Sequence, residues 1–198
     1  NPGFLFIHGD KNLRSQQAGF SQLYLPDAIL LALGILYVIS NKSRYRLLPL
    51  VVLLLGPIPA AITKESPHAL RAISSVPFIC LISANGVLFI KRYLRLKYLV
   101  EVIVLIIFLI LFMNYYKNFL LVYPVESSED WQFGYKEIYS DYKDQFTRYD
   151  RIIISDEYAQ PYIFALFYLK YDPNNFRQTV ARNSVDQWGF STVSRFGK

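Results

Sequence analysis

Apolar residues along this chain gather into four long runs: "LYLPDAILLALGILYVIS" (23–40), "LLPLVVLLLGPIPAAI" (47–62), "ALRAISSVPFICLISANGVLFI" (69–90) and "YLVEVIVLIIFLILFMNYY" (98–116). Each is near the roughly 20 residues a helix needs to cross a hydrocarbon core of about 30 Å. The second is the shortest, and it needs flanking residues or a thinned bilayer to span; the two prolines and glycine of "GPIPA" (56–60) are expected to break its end. A single such run also fits the buried helix of a soluble protein. Four in succession, joined by short turns, predict an α-helical integral membrane bundle of about four transmembrane helices.

The polar turns between the runs alternate in character. "NKSRYR" (41–46) and "KRYLRLK" (91–97) are basic and carry no acid, whereas "TKESPHALR" (63–71) is mixed. Lys and Arg in short loops stay on the cytoplasmic side. Both basic turns are therefore expected in the cytoplasm, and residues 1–22, the 63–71 turn and everything after about Tyr116 on the other face. The organisation predicted is an extracytoplasmic loop (1–22), a transmembrane region (23–116) and a small extracytoplasmic α/β domain (117–198).

That last region changes pattern. Trp131, Tyr135, Ile138, Tyr142 and Phe146 form a helical stripe within 127–150. "RIIIS" (151–155) reads as a buried strand, 156–173 as an apolar helix with Pro161 in its first turn, and "QWGFSTV" (187–193) as a second strand. Asp156 and Glu157 follow the first strand, where α/β sheets hold ligands, although an acidic helix start also explains them. The many tyrosines suit either a core or stacking on sugars.

Charge refines this picture. The formal net charge is +6. Up to Met113 there are eleven Lys/Arg against four Asp/Glu, and beyond it ten against eleven. The basic excess thus belongs to the apolar half, which argues against nucleic acid as a partner and for the lipid bilayer. A lone cysteine, Cys80, excludes a disulfide framework or zinc spacing. The opening "NPGFLFIHGD" has no signal-peptide pattern and reads like the interior of a protein, so the chain is expected to be part of something longer.

The candidate chemistry lies in two polar stretches expected on the extracytoplasmic face. In 63–71, Ser66 is a predicted N-cap and Pro67 the first helical residue. His68 and Arg71 then share a face of the helix start, with Lys64 nearby. Amide N–H groups, Arg and His together suit an anion, and at a membrane surface that anion is a lipid phosphate. Interfacial anchoring of a helix end explains the same residues without a ligand. The second stretch, 4–24, holds Asp10, Asn12 and Arg14 as a possible substrate loop, and a structural Asp10–Arg14 pair in a polar loop explains the same residues without a substrate. Asp27 stands at the start of the first run, where its side chain can reach the interface.

The combination "FLFIHGDKNLRS…GFSQLY", "GPIPAAITKESPHALRAISSVP", "WQFGYKE" and "QPYIFALFYLKYDP" resembles the C-terminal half of bacterial GT-C class membrane glycosyltransferases, the protein O-mannosyltransferase and aminoarabinose-transferase group also labelled family 39. The resemblance implies transfer of a sugar from a polyprenyl-phosphate donor to a cell-envelope acceptor at the outer face of the plasma (inner) membrane, with no certain cofactor and an undefined metal requirement. It implies that Arg71, helped by His68 and Lys64, stabilises the leaving lipid phosphate. The general base it implies is a carboxylate in a first outer loop that this chain does not contain, so no catalytic residue is assigned and the chain by itself is expected to be inactive. Ser15 stands after Arg14 where the family pattern has His. A membrane-anchored binding module and part of a lipid-linked-sugar transporter are the competing readings.

Overall fold

The computed structural model describes residues 1–63, 66–94, 98–158, 160–187 and 189–197. It is mostly helical and divides into two compact units, Asn1–Ser127 and Ser128–Lys198.

In the first unit, a π-helical turn at Phe4–His8 leads into an irregular polar loop and then α1, Leu25–Ser40. Asp27 caps α1: its Oδ2 accepts the Tyr24 N–H at 3.0 Å while its own N–H donates to the Tyr24 carbonyl at 2.9 Å. The second apolar run is broken. It forms α2, Leu48–Leu55, and the single turn α3, Ile58–Ala61. Pro57 and Pro59 supply no N–H to continue the ladder, which ends the helix at Gly56. The third run begins as a 3-10 turn, Leu70–Ser75, and continues as α4, Val76–Leu94. After it comes α5, Leu99–Leu121, followed by the short α6, Tyr123–Glu126.

Among the described residues, two helices are long and apolar enough to cross a membrane: Leu70–Leu94, of 25 residues, and Leu99–Leu121, of 23. Only 28% and 6% of their most apolar windows are buried. The core helix of a soluble protein would be mostly buried, so these faces are suited to lipid. The first and second runs fall short. At about 1.5 Å per residue, α1 reaches roughly 24 Å, less than the hydrocarbon thickness.

The main packing of this unit is α1 against α4. Leu30, Gly34 and Val38 are buried at successive i, i+4 positions of α1, and Ile79, Ile82, Ser83 and Gly86 on one face of α4. Ile82 is fully buried. Glycine is required at the crossing: a Cβ on Gly34 would lie 1.8 Å from the Ile82 carbonyl oxygen, and one on Gly86 2.1 Å from that of Leu30. Backbone thus meets backbone, the close approach that small residues permit between membrane helices. Lys91, near the end of α4, pairs with Glu101 in the first turn of α5.

The second unit contains α7 (Tyr135–Asp141), α8 (Lys143–Phe146), α9 (Pro161–Tyr168), α10 (Pro173–Thr179) and a two-stranded antiparallel sheet of β1 (Ala181–Arg182) and β2 (Val193–Arg195). This differs from the expected order of helix, strand, helix, strand. Residues 151–155 are not a strand. A β-branched run supplies propensity but becomes a strand only with a hydrogen-bonding partner; here Ile154 instead packs against the core of Tyr135, Tyr139 and Ala165. The expected helix over 127–150 begins only at Tyr135, after turns that end at Gly134, whose φ of 104° lies in the left-handed region, and it is interrupted at Tyr142. The buried face follows Tyr135 and Tyr139, while Trp131 and Tyr142 are exposed. Asp172, inside the helix expected over 156–173, instead begins the next: its carboxylate accepts the N–H groups of Asn174 and Asn175, each at 3.2 Å. The second expected strand overlaps the observed β2 only at Val193.

Candidate functional site

The two polar stretches of the first unit, far apart in sequence, meet in space. Asp10 Oδ2 accepts the Ala69 N–H at 3.0 Å, and Asp10 Oδ1 accepts the Asn12 N–H at 3.0 Å. The Asn12 side chain in turn accepts the Arg14 N–H at 3.0 Å. Two successive Asx turns therefore shape the loop, because short side-chain carbonyls imitate a backbone turn. Gly9 lets it begin. Its φ is 68°, and a Cβ there would lie 1.7 Å from Gln16 Nε2. That contact lets Gln16 Oε1 accept the Asp10 N–H at 2.8 Å and also the Gln22 amide.

The same loop is fastened to the end of α5. Gln17, only 2% exposed, accepts a hydrogen bond from Asn118 Nδ2 at 2.7 Å. Tyr123 donates its hydroxyl to the Leu13 carbonyl at 2.6 Å. The Phe20 and Tyr115 rings meet edge to face at 5.3 Å, and Tyr24 meets Phe108 at 6.0 Å. The start of α1, the start of the third apolar helix and the end of α5 are thus gathered by one loop.

The 63–71 turn departs from expectation. Pro67 is not the first helical residue and Ser66 is not the N-cap; the helix starts at Leu70, and Ala69 flanks it. Its cap acceptor is Asp10, 59 residues upstream. A carboxylate beside helix-start amides is favoured by both the hydrogen bond and the helix dipole. His68 consequently precedes the helix and shares no helix face with Arg71. His68 Nδ1 is buried and has no hydrogen-bond partner among the described residues, whereas Arg71 is exposed and donates from Nη1 to Thr63 Oγ1 at 2.8 Å. Lys64 lies outside the described residues.

No protein-family model, curated protein or solved structure matches this chain. The chemistry therefore rests on the geometry. Among the described residues, no group of three or more His, Cys, Asp or Glu side chains could hold a metal ion. What the first unit offers is a neutral-to-cationic turn, with His68 and Arg71, tied to an Asp10-centred loop. Asp10 and Asn12 use their side chains to shape that loop, and sequence reasoning missed the two glutamines that hold it. Gln17 carries no periodic signal, and its partner Asn118 is 101 residues away.

In the second unit, Asp156 and Glu157 are exposed on a turn with no strand before them, so the strand-end ligand argument does not apply. The Glu157 N–H donates to Ser155 Oγ at 3.2 Å. An open groove of about 440 Å³ is lined by Tyr142, Tyr149, Arg151, Gln145 and Ile138 among others. Burial pushes both core phenols up, that of Tyr139 to about 12, with Tyr135 adding to the effect. These phenols stay neutral at ordinary pH and act as packing groups.

Proposed function

We propose that this chain is the C-terminal part of an integral-membrane glycosyltransferase that moves a sugar from a polyprenyl-phosphate donor to a cell-envelope acceptor. The observation that carries this reading is the Asp10–Ala69 hydrogen bond. It joins the two polar stretches into one patch at the start of a helix that is apolar along its length. In this reading the four apolar runs all lie in the membrane, the broken second run being accommodated by tilt or thinning. The basic turns at 41–46 and 91–97 face the cytoplasm. The polar patch and the second unit lie outside.

Arg71, with His68 and Lys64, holds the lipid phosphate and offsets the charge that grows on it as the sugar leaves. Asp10 has a positioning role: with one oxygen on the Ala69 N–H and the other on the Asn12 N–H, it fixes the loop beside the cationic turn. The general base comes from a part of the parent outside this chain.

The test is binding of undecaprenyl phosphate to the purified chain, wild type beside the Arg71→Ala, His68→Ala double variant. A charge-assisted hydrogen bond contributes about 1.5–3 kcal/mol, so the expected loss is roughly 10- to 100-fold. Equal binding by a folded double variant would refute the phosphate site.

A further inference from the structure

The turn between α1 and α2 carries Lys42, Arg44 and Arg46 and no acid over residues 41–46. It borders an open cavity of about 600 Å³ whose lining joins these cations to Leu47, Leu48 and Val51. Those three apolar side chains are 47%, 59% and 48% exposed, so about half of their surface is left uncovered by the described residues. Arg46 is used internally, donating to the Asn41 carbonyl. Arg44 lies 5.6 Å from the Tyr45 ring centroid, a cation–π contact that holds the guanidinium near the turn. Lys42 and Arg44 are exposed.

Cationic heads beside an exposed apolar wall match an amphiphile with an anionic head. We propose that this cavity holds an anionic phospholipid of the surrounding leaflet, its phosphate on Lys42 and Arg44 and an acyl chain along Leu47, Leu48 and Val51. Charge complementarity selects this occupant. A zwitterionic lipid would fill the apolar wall equally well but gain little from two cations in a turn that carries no acid over 41–46. The proposal depends on α1 and α2 lying in a membrane and not on the transferase reading.

The test is native mass spectrometry of the full chain in neutral detergent, with phosphatidylglycerol and phosphatidylcholine of equal chain length. Each cation near a membrane surface contributes about 1 kcal/mol toward an anionic lipid, so wild type should retain phosphatidylglycerol over phosphatidylcholine roughly 10- to 30-fold. Lys42→Gln with Arg44→Gln should remove that preference. Arg44→Gln alone, the milder change, should lower it about 5-fold. Lys42→Arg with Arg44→Lys, and the charge-matched pair Arg92→Gln with Lys117→Gln, should leave it near wild type. Equal retention of the two lipids by wild type, or the same loss from the Arg92 and Lys117 pair, would overturn the site.

Discussion

Replacing Gly86 by alanine is the sharpest available test of the α1–α4 crossing. The added methyl would sit 2.1 Å from the Leu30 carbonyl oxygen and 2.9 Å from its carbon, both backbone atoms that cannot rotate away. Ordinary contact needs about 3.4 Å or more, so the helices must part by roughly 1 Å. The separation would loosen the surroundings of Ile82, the fully buried side chain of this interface. Overpacking of this kind costs about 1–3 kcal/mol, and helix association in lipid depends on such close packing. Alanine is the better helix former by up to about 1 kcal/mol, which offsets part of that cost. A net loss of about 1–2 kcal/mol is therefore expected in detergent unfolding followed by circular dichroism. Ala84→Val, on the exposed face of the same helix, should stay within about 0.5 kcal/mol of wild type. Combining Gly86→Ala with Gly34→Ala should cost less than the sum of the two, because helices already parted accommodate the second methyl. A Gly86→Ala protein as stable as wild type would refute the close crossing.

Asp10→Ala leaves the Ala69 N–H without its acceptor and should cost about 1–3 kcal/mol; faster amide exchange at Ala69 and Asn12, with unchanged exchange in the middle of α5, is the expected pattern. A tyrosine that holds its proton more tightly when folded adds no pH dependence below its unfolded value. Tyr139, raised from 10.0 to about 12 by burial, should therefore destabilise the second unit as pH rises from about 10 toward 12, by an amount on the order of 2 kcal/mol. Trp131 fluorescence during thermal melting reports it, and Tyr139→Phe should flatten the slope. On a Cys80→Ser background, a cysteine at Ser43 should be shielded from an impermeant thiol reagent in intact cells and one at the exposed Glu129 labelled; the reverse would invert the orientation proposed.

The third and fourth apolar runs were legible at their starts to within a residue, while their helices continue four and five residues past the expected ends: 69–90 became Leu70–Leu94, and 98–116 became Leu99–Leu121. Length and unbroken apolar character leave a helix little alternative. The second run was legible as apolar, and Gly56, Pro57 and Pro59 marked the break at its end, where α2 stops at Leu55. In the second unit, local propensity misled at 151–155, because pairing is a property of the partner and not of the segment. The site was half legible. Arg71, His68 and Asp10 stood out by charge, but the contact joining Asp10 to Ala69 spans 59 residues. The helix start was misread because Ser66 and Pro67 satisfy a local capping rule that a distant carboxylate supplanted.

The loop stitched to both Ala69 and the end of α5 has a mechanical consequence. A helix of 23 residues is a rod of about 34 Å. Pivoting by only about 5° around the Lys91–Glu101 end moves its far tip by roughly 3 Å, as long as the hydrogen bonds that Asn118 and Tyr123 make to the loop. Bilayers of different thickness impose tilts of that size. The Asp10 loop is therefore coupled to the tilt of α5, and a pivot of that size would be felt at the polar patch before any helix has to unfold.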